Sequence, residues 1–374
     1  MRKKRNSLGI FLLVLLVAGL SAGGFLLWRS VDNRVQPLLC PVNPEYAGAP
    51  GMPDKVQGLA LRPFRFPGWD GGEIQAVEVW KEGEESSRQL SVMGALATEP
   101  VERLQAIDYA LVCVDWDHGI LSALPLAESL TAAGLHCVLW NPRGVDDRRA
   151  YCTHGRKEAA DVPHLLDALE KLSGNSRPVV VAVGQGYGAN LLLRAASYEP
   201  RIRGLVSIDA FASLRQSSTR LIKGKALKLV MQHLVDMRID SEIGMESFEV
   251  APVQCASEID RNVPVLVINL ALDNPVSNMD DAMSIYRRLK SDKREIWAAR
   301  SAEDDPEDTE RKVELLVGQS GKEHIEIETV RLLQDDESAV PAILHWLNDC
   351  VVSAVEAPRP AELPRPVPDS DSVL

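Results

Sequence analysis

The sequence predicts an α/β fold built on a mostly parallel sheet, and three observations point there. Apolar bursts of strand length recur at Ala110 to Val114, His136 to Trp140, Val179 to Val183, Gly204 to Ile208 and Val263 to Ile268. Amphipathic stretches of helical length lie between them, clearest at Leu124 to Ala133, Glu158 to Leu172 and Ala189 to Ser197. Strands that are apolar on both faces and alternate with helices belong to parallel sheets covered on both sides. The composition agrees, since 374 residues at 45% hydrophobic and 25% charged exclude collagen-like, coiled-coil and wholly disordered chains.

Before the sheet come segments of another character. Residues 1–7 hold Arg2, Lys3, Lys4 and Arg5, and from Leu8 to Trp28 there is no charged residue. At about 1.5 Å per residue such a run covers the roughly 30 Å hydrocarbon core of a bilayer. It reads as one transmembrane helix, a retained signal anchor ending in an interfacial tryptophan. A cleaved signal peptide, for which Ala18 to Gly24 offers small residues, and a buried helix are the alternatives. The basic cluster places the N-terminus in the cytoplasm and the main domain outside it. Residues 29–56 are rich in proline and small residues and read as a stalk or linker.

The folded domain is expected over 57–350. Leu59 to Phe66 and Glu73 to Trp80 flank the turn Pro67-Gly68-Trp69-Asp70-Gly71-Gly72 and predict a β-hairpin at its start. A cap-like insertion at about 215–260 carries a helical stretch, Leu221 to Val235. The tail 351–374, APRPAELPRPVPDSDSVL beyond Glu356, is proline-rich, polar and expected to be disordered. No internal repeat is present.

Charge and cysteine usage narrow the function classes. With 53 acidic against 41 basic residues the net charge is −12, so a nucleic-acid partner is not expected. Six cysteines do not make a disulfide scaffold in a chain of this size. Cys113 and Cys137 fall inside predicted strands as core residues, while Cys40, Cys152, Cys255 and Cys350 are available for disulfides outside the cytoplasm. His118, His136, His154, His164, His233 and His345 lack the spacing of a zinc site, so no metal or cofactor is expected. The acidic run Glu303-Asp304-Asp305-Pro306-Glu307-Asp308 reads as a solvated loop.

The segment with chemical content is Val179-Val180-Val181-Ala182-Val183, then Gly184-Gln185-Gly186-Tyr187-Gly188-Ala189, then the helix from Asn190. Strand, tight turn and helix match the nucleophile elbow G-x-S-x-G, whose flanking glycines permit a sharp turn while the central side chain stands above the sheet. Here the centre is Gly186. Without an oxygen or sulfur at that point no acyl-enzyme can form.

Together with this turn, further segments resemble the α/β-hydrolases, and among them membrane-anchored, peptidase-like serine hydrolases. Leu139-Trp140-Asn141-Pro142-Arg143-Gly144 is similar to that family's D-x-R-G segment. Thr153-His154-Gly155-Arg156-Lys157-Glu158-Ala159-Ala160-Asp161-Val162 is similar to its G-x-x-E-x-x-D segment, and Glu199 to Val206 with Phe211 to Arg215 resembles the strand after the elbow. The likeness spans roughly residues 57–350. It implies an α/β-hydrolase fold, with an acid after the strand Pro264 to Ile268, at Asp273, and a base in a loop after a last strand Val313 to Val317, at His324. Such a pair is coherent, because a carboxylate fixes the imidazole tautomer. The first oxyanion donor would be the backbone N–H of Tyr187, and the second would come from Asp115-Trp116-Asp117-His118-Gly119, where Gly119 is one choice and both His118-Gly119 and Asp115 fit the position. Two carboxylates there would oppose an oxyanion.

Two departures from a working hydrolase imply a catalytically degenerate, membrane-anchored protein that binds a small acyl ligand or a protein partner. The alternative is an active hydrolase of ester, thioester or peptide bonds that uses an Asp273/His324-activated water or a non-standard nucleophile. A structural ectodomain with a filled pocket is the third reading.

Overall fold

The computed structural model describes residues 23–33, 35, 55–56, 58–82, 104, 106–114, 120, 123–142, 152–220, 228–243, 251–270, 277–301, 309–319, 322–333 and 339–352. The strands are β1 Lys55–Val56, β2 Leu59–Pro67, β3 Glu73–Lys81, β4 Tyr109–Cys113, β5 Cys137–Trp140, β6 Val180–Gln185, β7 Ile202–Ile208, β8 Val265–Asn269, β9 Arg294–Ala299, β10 Glu310–Gln319 and β11 Lys322–Leu333. The helices are α1 over 23–33, α2 Leu124–Ala132, α3 Arg156–Ala159, α4 Val162–Ser173, α5 Tyr187–Ala196, α6 Leu214–Arg220, α7 Lys228–Ile243, α8 Pro252–Ala256, α9 Met279–Arg288 and α10 Ala339–Trp346.

Among the described residues the strands form one sheet in the order β1-β2-β3-β5-β4-β6-β7-β8-β9-β11-β10. From β5 through β4, β6, β7, β8 and β9 to β11 the neighbours run parallel. The expected hairpin β2–β3 caps one end antiparallel, and β10–β11 makes a second hairpin at the other. Side chains alternate between the two faces, as period two requires. Val180, Ala182, Leu205 and Val267 pack with Leu165 and Leu169 of α4, Leu192 of α5 and Ile285 of α9. Val181, Val183, Val206 and Ile268 pack with Ala127 and Leu130 of α2 and Ile343 and Trp346 of α10. Each parallel strand is therefore apolar on both sides, which is why the bursts were continuous.

Polar clamps fix the helices to this sheet. Arg201, just before β7, reaches Asp167 at 2.7 Å and Glu170 at 3.0 Å on α4 while holding Glu199 at 2.7 Å. Asp281, buried on α9, accepts from the amides of Ala212 and Asn278 and from both terminal nitrogens of Arg220.

The expected boundaries shift in three places. The single helix over Glu158 to Leu172 is two, α3 and α4, because Pro163 in the first turn of α4 has no N–H to continue an incoming helix. The stalk reading fails for residues 29–33 and 35, which are helical. Leu27, Val31 and Val35 recur every four residues as one stripe, and Val31 and Val35 are fully buried against Phe211, Leu214, Met231, Val235, Ile239 and Ile243. Third, Val313 to Val317 is part of the antiparallel strand β10, and the parallel strand before it is β9.

The greater part of the proposed membrane segment, residues 8–22, lies outside the described residues, as does the tail beyond 352. Among the described residues no helix is long and apolar enough to cross a membrane. Cys113, Cys137, Cys152 and Cys255 are buried and Cys350 is half-buried, and among the described residues no disulfide joins them.

Candidate functional site

The strand order reverses between β4 and β6, and in open α/β sheets ligands bind outside the carboxyl ends of the strands at such a switch point. The glycine turn stands there. Gly186 has φ 56° and ψ −117°, a conformation that glycine adopts without strain and other residues rarely hold. Its N–H donates to the carbonyl of Ile208 at 2.8 Å, which pins the turn to β7.

The neighbouring glycines are needed for approach rather than for dihedral freedom. A Cβ at Gly188 would lie 2.0 Å from the Cys113 carbonyl oxygen, and one at Gly184 would lie 2.5 Å from the Cα of Ala189. Their absence lets α5 begin directly against the end of β4. The first turn of α5, at the positive end of its dipole, then faces the switch point. Tyr187 is the first residue of that turn.

Around the elbow the structure brings together groups from three loops. The His154 ring stands edge-on to the Tyr187 ring at 6.3 Å and to that of Phe211 at 6.5 Å. His154 has φ 54° and is buried, held by the segment Thr153 to Glu158. Glu158 supports that segment by accepting from the Thr153 amide and hydroxyl, both at 2.6 Å, and from the Gly155 amide at 3.0 Å. Burial nonetheless pushes the Glu158 carboxyl above its ordinary value. Asp209, at the end of β7 with φ 51°, accepts from the Asn269 side chain at 3.2 Å and from the Leu270 amide at 2.8 Å. Burial, with Cys152 beside it, pushes the ionisation of the Tyr187 hydroxyl well above its ordinary value.

His154 and Asp209 were not expected at the site. The signals available were a histidine inside the Thr153 to Glu158 segment and a carboxylate directly after the apolar run Leu205 to Ile208.

Of the residues the sequence singled out, Gly186 and Tyr187 sit at the elbow, and Gly119 and Asp273 lie outside the described residues. His324 is not in a loop. It lies within β11, paired with Val317, because Glu310 to Leu333 folds back as a hairpin instead of one strand and a loop. The registers Gln185↔Ile208, Ile208↔Ile268, Ile268↔Trp297 and Trp297↔Arg331 put Arg331 level with the residue before Gly186. From Arg331 back to His324 are seven residues, about 23 Å of strand at ~3.3 Å each. They run toward the ends where the parallel strands begin. The backbone of His324 and that of Gly186 are therefore at opposite margins of the sheet.

Among the described residues no group of three or more histidine, cysteine or carboxylate side chains could hold a metal ion.

A parallel sheet with this strand order, an antiparallel hairpin at its start and a strand–elbow–helix turn at the switch point fits an α/β-hydrolase fold. No family model matches the chain, and no curated protein does. Among solved structures the chain is similar to the Pyrococcus furiosus esterase Pf2001, at 14% identity over 69% of this chain and 87% of the esterase, with a TM-score of 0.49. It is similar to Pyrococcus horikoshii acylaminoacyl peptidase at 16% identity over 66% of this chain and 37% of the peptidase, TM-score 0.44. An esterase domain from Rhodothermus marinus matches at 13% identity over 63% of this chain and 85% of the domain, TM-score 0.40. These likenesses are distant, and the fold rests on strand order and elbow.

Proposed function

We propose that this chain is a membrane-anchored protein of α/β-hydrolase fold that has given up acyl transfer and keeps its site to bind a small acyl ligand or a protein partner. The observation that carries the reading is Gly186. The elbow's backbone is intact at φ 56° and ψ −117°, yet its tip bears no attacking atom. In serine hydrolases removal of the nucleophile slows the reaction about 10⁶-fold, which leaves too little rate for metabolism.

The base side of the site supports the same reading. A base placed as the resembled family places it would follow β9 or β11. The sequence there, Arg300 to Asp308 and Gln334 to Ser338, contains no histidine. Residues 8–28 anchor the chain, with the basic N-terminus in the cytoplasm and the domain outside it.

The test is direct. The full chain is exposed to a fluorophosphonate probe and to a panel of short acyl esters, thioesters and peptide amides. No labelling and no turnover above buffer are expected. Probe labelling, or turnover abolished by His324→Ala or by His154→Ala, would overturn the reading in favour of a hydrolase with an activated water or an unconventional nucleophile.

A further inference from the structure

The helices α1 and α7 share an apolar interior and also an apolar exterior. Inside lie Val31, Val35, Met231, Val235, Ile239 and Ile243. Outside, Phe25, Leu26 and Trp28 of α1 and Val230 and Met237 of α7 are each between 52% and 65% exposed. Val230 and Met237 are seven residues apart, so they share one side of α7. Arg238 lies over the Trp28 ring at 5.8 Å and donates to Asp32 at 3.3 Å, which holds Trp28 beside the turn of α7 that carries Met237. Five large apolar side chains are thus exposed on one pair of packed helices.

We infer that this face is seated in the headgroup–acyl boundary of a lipid bilayer, with α7 lying along the membrane surface beside the exit of the chain's N-terminal segment. The inference rests on the reading of residues 8–28 as a membrane anchor. Phe25, Leu26 and Trp28 are among the last residues of the uncharged run that begins at Leu8, and the first charge after it is Arg29. Tryptophan at that position belongs at the membrane–water boundary. Helix α1 continues without a break from there to Val31, a rise of about 9 Å from Phe25. That is the depth over which surface-lying helices bury their apolar face, roughly 5–10 Å. A helix packed on Val31 and Trp28 is therefore held within reach of the bilayer. Phe211 belongs to the same cluster and touches His154, so the membrane face and the elbow are two sides of one packed body.

The experiment uses the full chain reconstituted in phosphatidylcholine vesicles, with a nitroxide at Val230→Cys, Met237→Cys or, as a control on α4, Leu172→Cys. Spectra of the unsubstituted chain correct for native thiols. Collision with oxygen is compared with collision with a water-soluble nickel chelate. At 230 and 237 the oxygen-to-nickel ratio is expected to rise severalfold over that at 172. Equal ratios at the three sites would overturn the inference, and exclusion of both probes from 230 and 237 would too, because a protein partner or a second copy would then cover the face. A carbonate wash separates the two levels of failure. Release of the chain defeats the anchor and this inference with it, whereas retention with nickel-accessible 237 defeats this inference alone.

Discussion

Three glycines within five residues serve the elbow in two different ways, and substitution can tell them apart. At Gly188 an added methyl meets backbone, the Cys113 carbonyl, at a distance no rotation relieves. Gly188→Ala is expected to lower unfolding free energy by more than about 3 kcal/mol, the upper range for overpacked cores. Gly186→Ala needs only a strained dihedral pair, at about 1–3 kcal/mol. Urea midpoints of the two variants check the order, and a milder effect at 188 than at 186 would contradict it. Both roles were legible in the sequence, because G-x-G-x-G between an apolar strand and a helix admits few geometries. The positive φ of His154 and Asp209 was not, since side chains other than glycine seldom adopt it.

At the scale of elements, the loop and helix start from Thr153 to Glu158 place His154 against the elbow, and Glu158 is the buried carboxyl that organises them. Its proton is bound more tightly in the folded state than at the ordinary value of 4.5, with burial outweighing the three donated hydrogen bonds. A group raised in this way stabilises the fold most fully below its unfolded value and progressively less as pH rises through the folded one. The unfolding free energy of the wild type minus that of Glu158→Gln should therefore fall as pH is raised from about 4.5 upward, measured by urea titration at several pH values. A difference that grows with pH would mean that the donors from Thr153 and Gly155 win. The parallel strands were readable as elements because burial on both faces leaves continuous apolar runs. The edge hairpin β10–β11 was not. Val313 to Val317 reads as a last strand followed by a loop, and only the pairing with β11 shows an antiparallel edge hairpin.

Among the described residues the apolar interior falls into three bodies, two against the faces of the sheet and a third between α1 and α7. The third can be loosened while the other two remain. Val31→Asp places a charge in it and should speed hydrogen exchange of the α7 amides by ~10–100-fold, the equivalent of losing one buried aliphatic side chain. The amides of β6, β7 and β8 should keep their protection. Equal loss in both regions would show that the cap and sheet unfold as a unit. Composition could not reveal this third body, because its two helices lie nearly 200 residues apart in sequence.

The ladder of registers that sets Gln185, Ile208, Ile268, Trp297 and Arg331 at one height bears on any attempt to install chemistry at the turn. A serine placed at position 186 would add an oxygen there, while the backbone of His324 in the terminal hairpin lies at the other margin of the sheet. On the proposed reading such a serine would have to draw its proton acceptor from the near rim, where the His154 ring already stands against that of Tyr187.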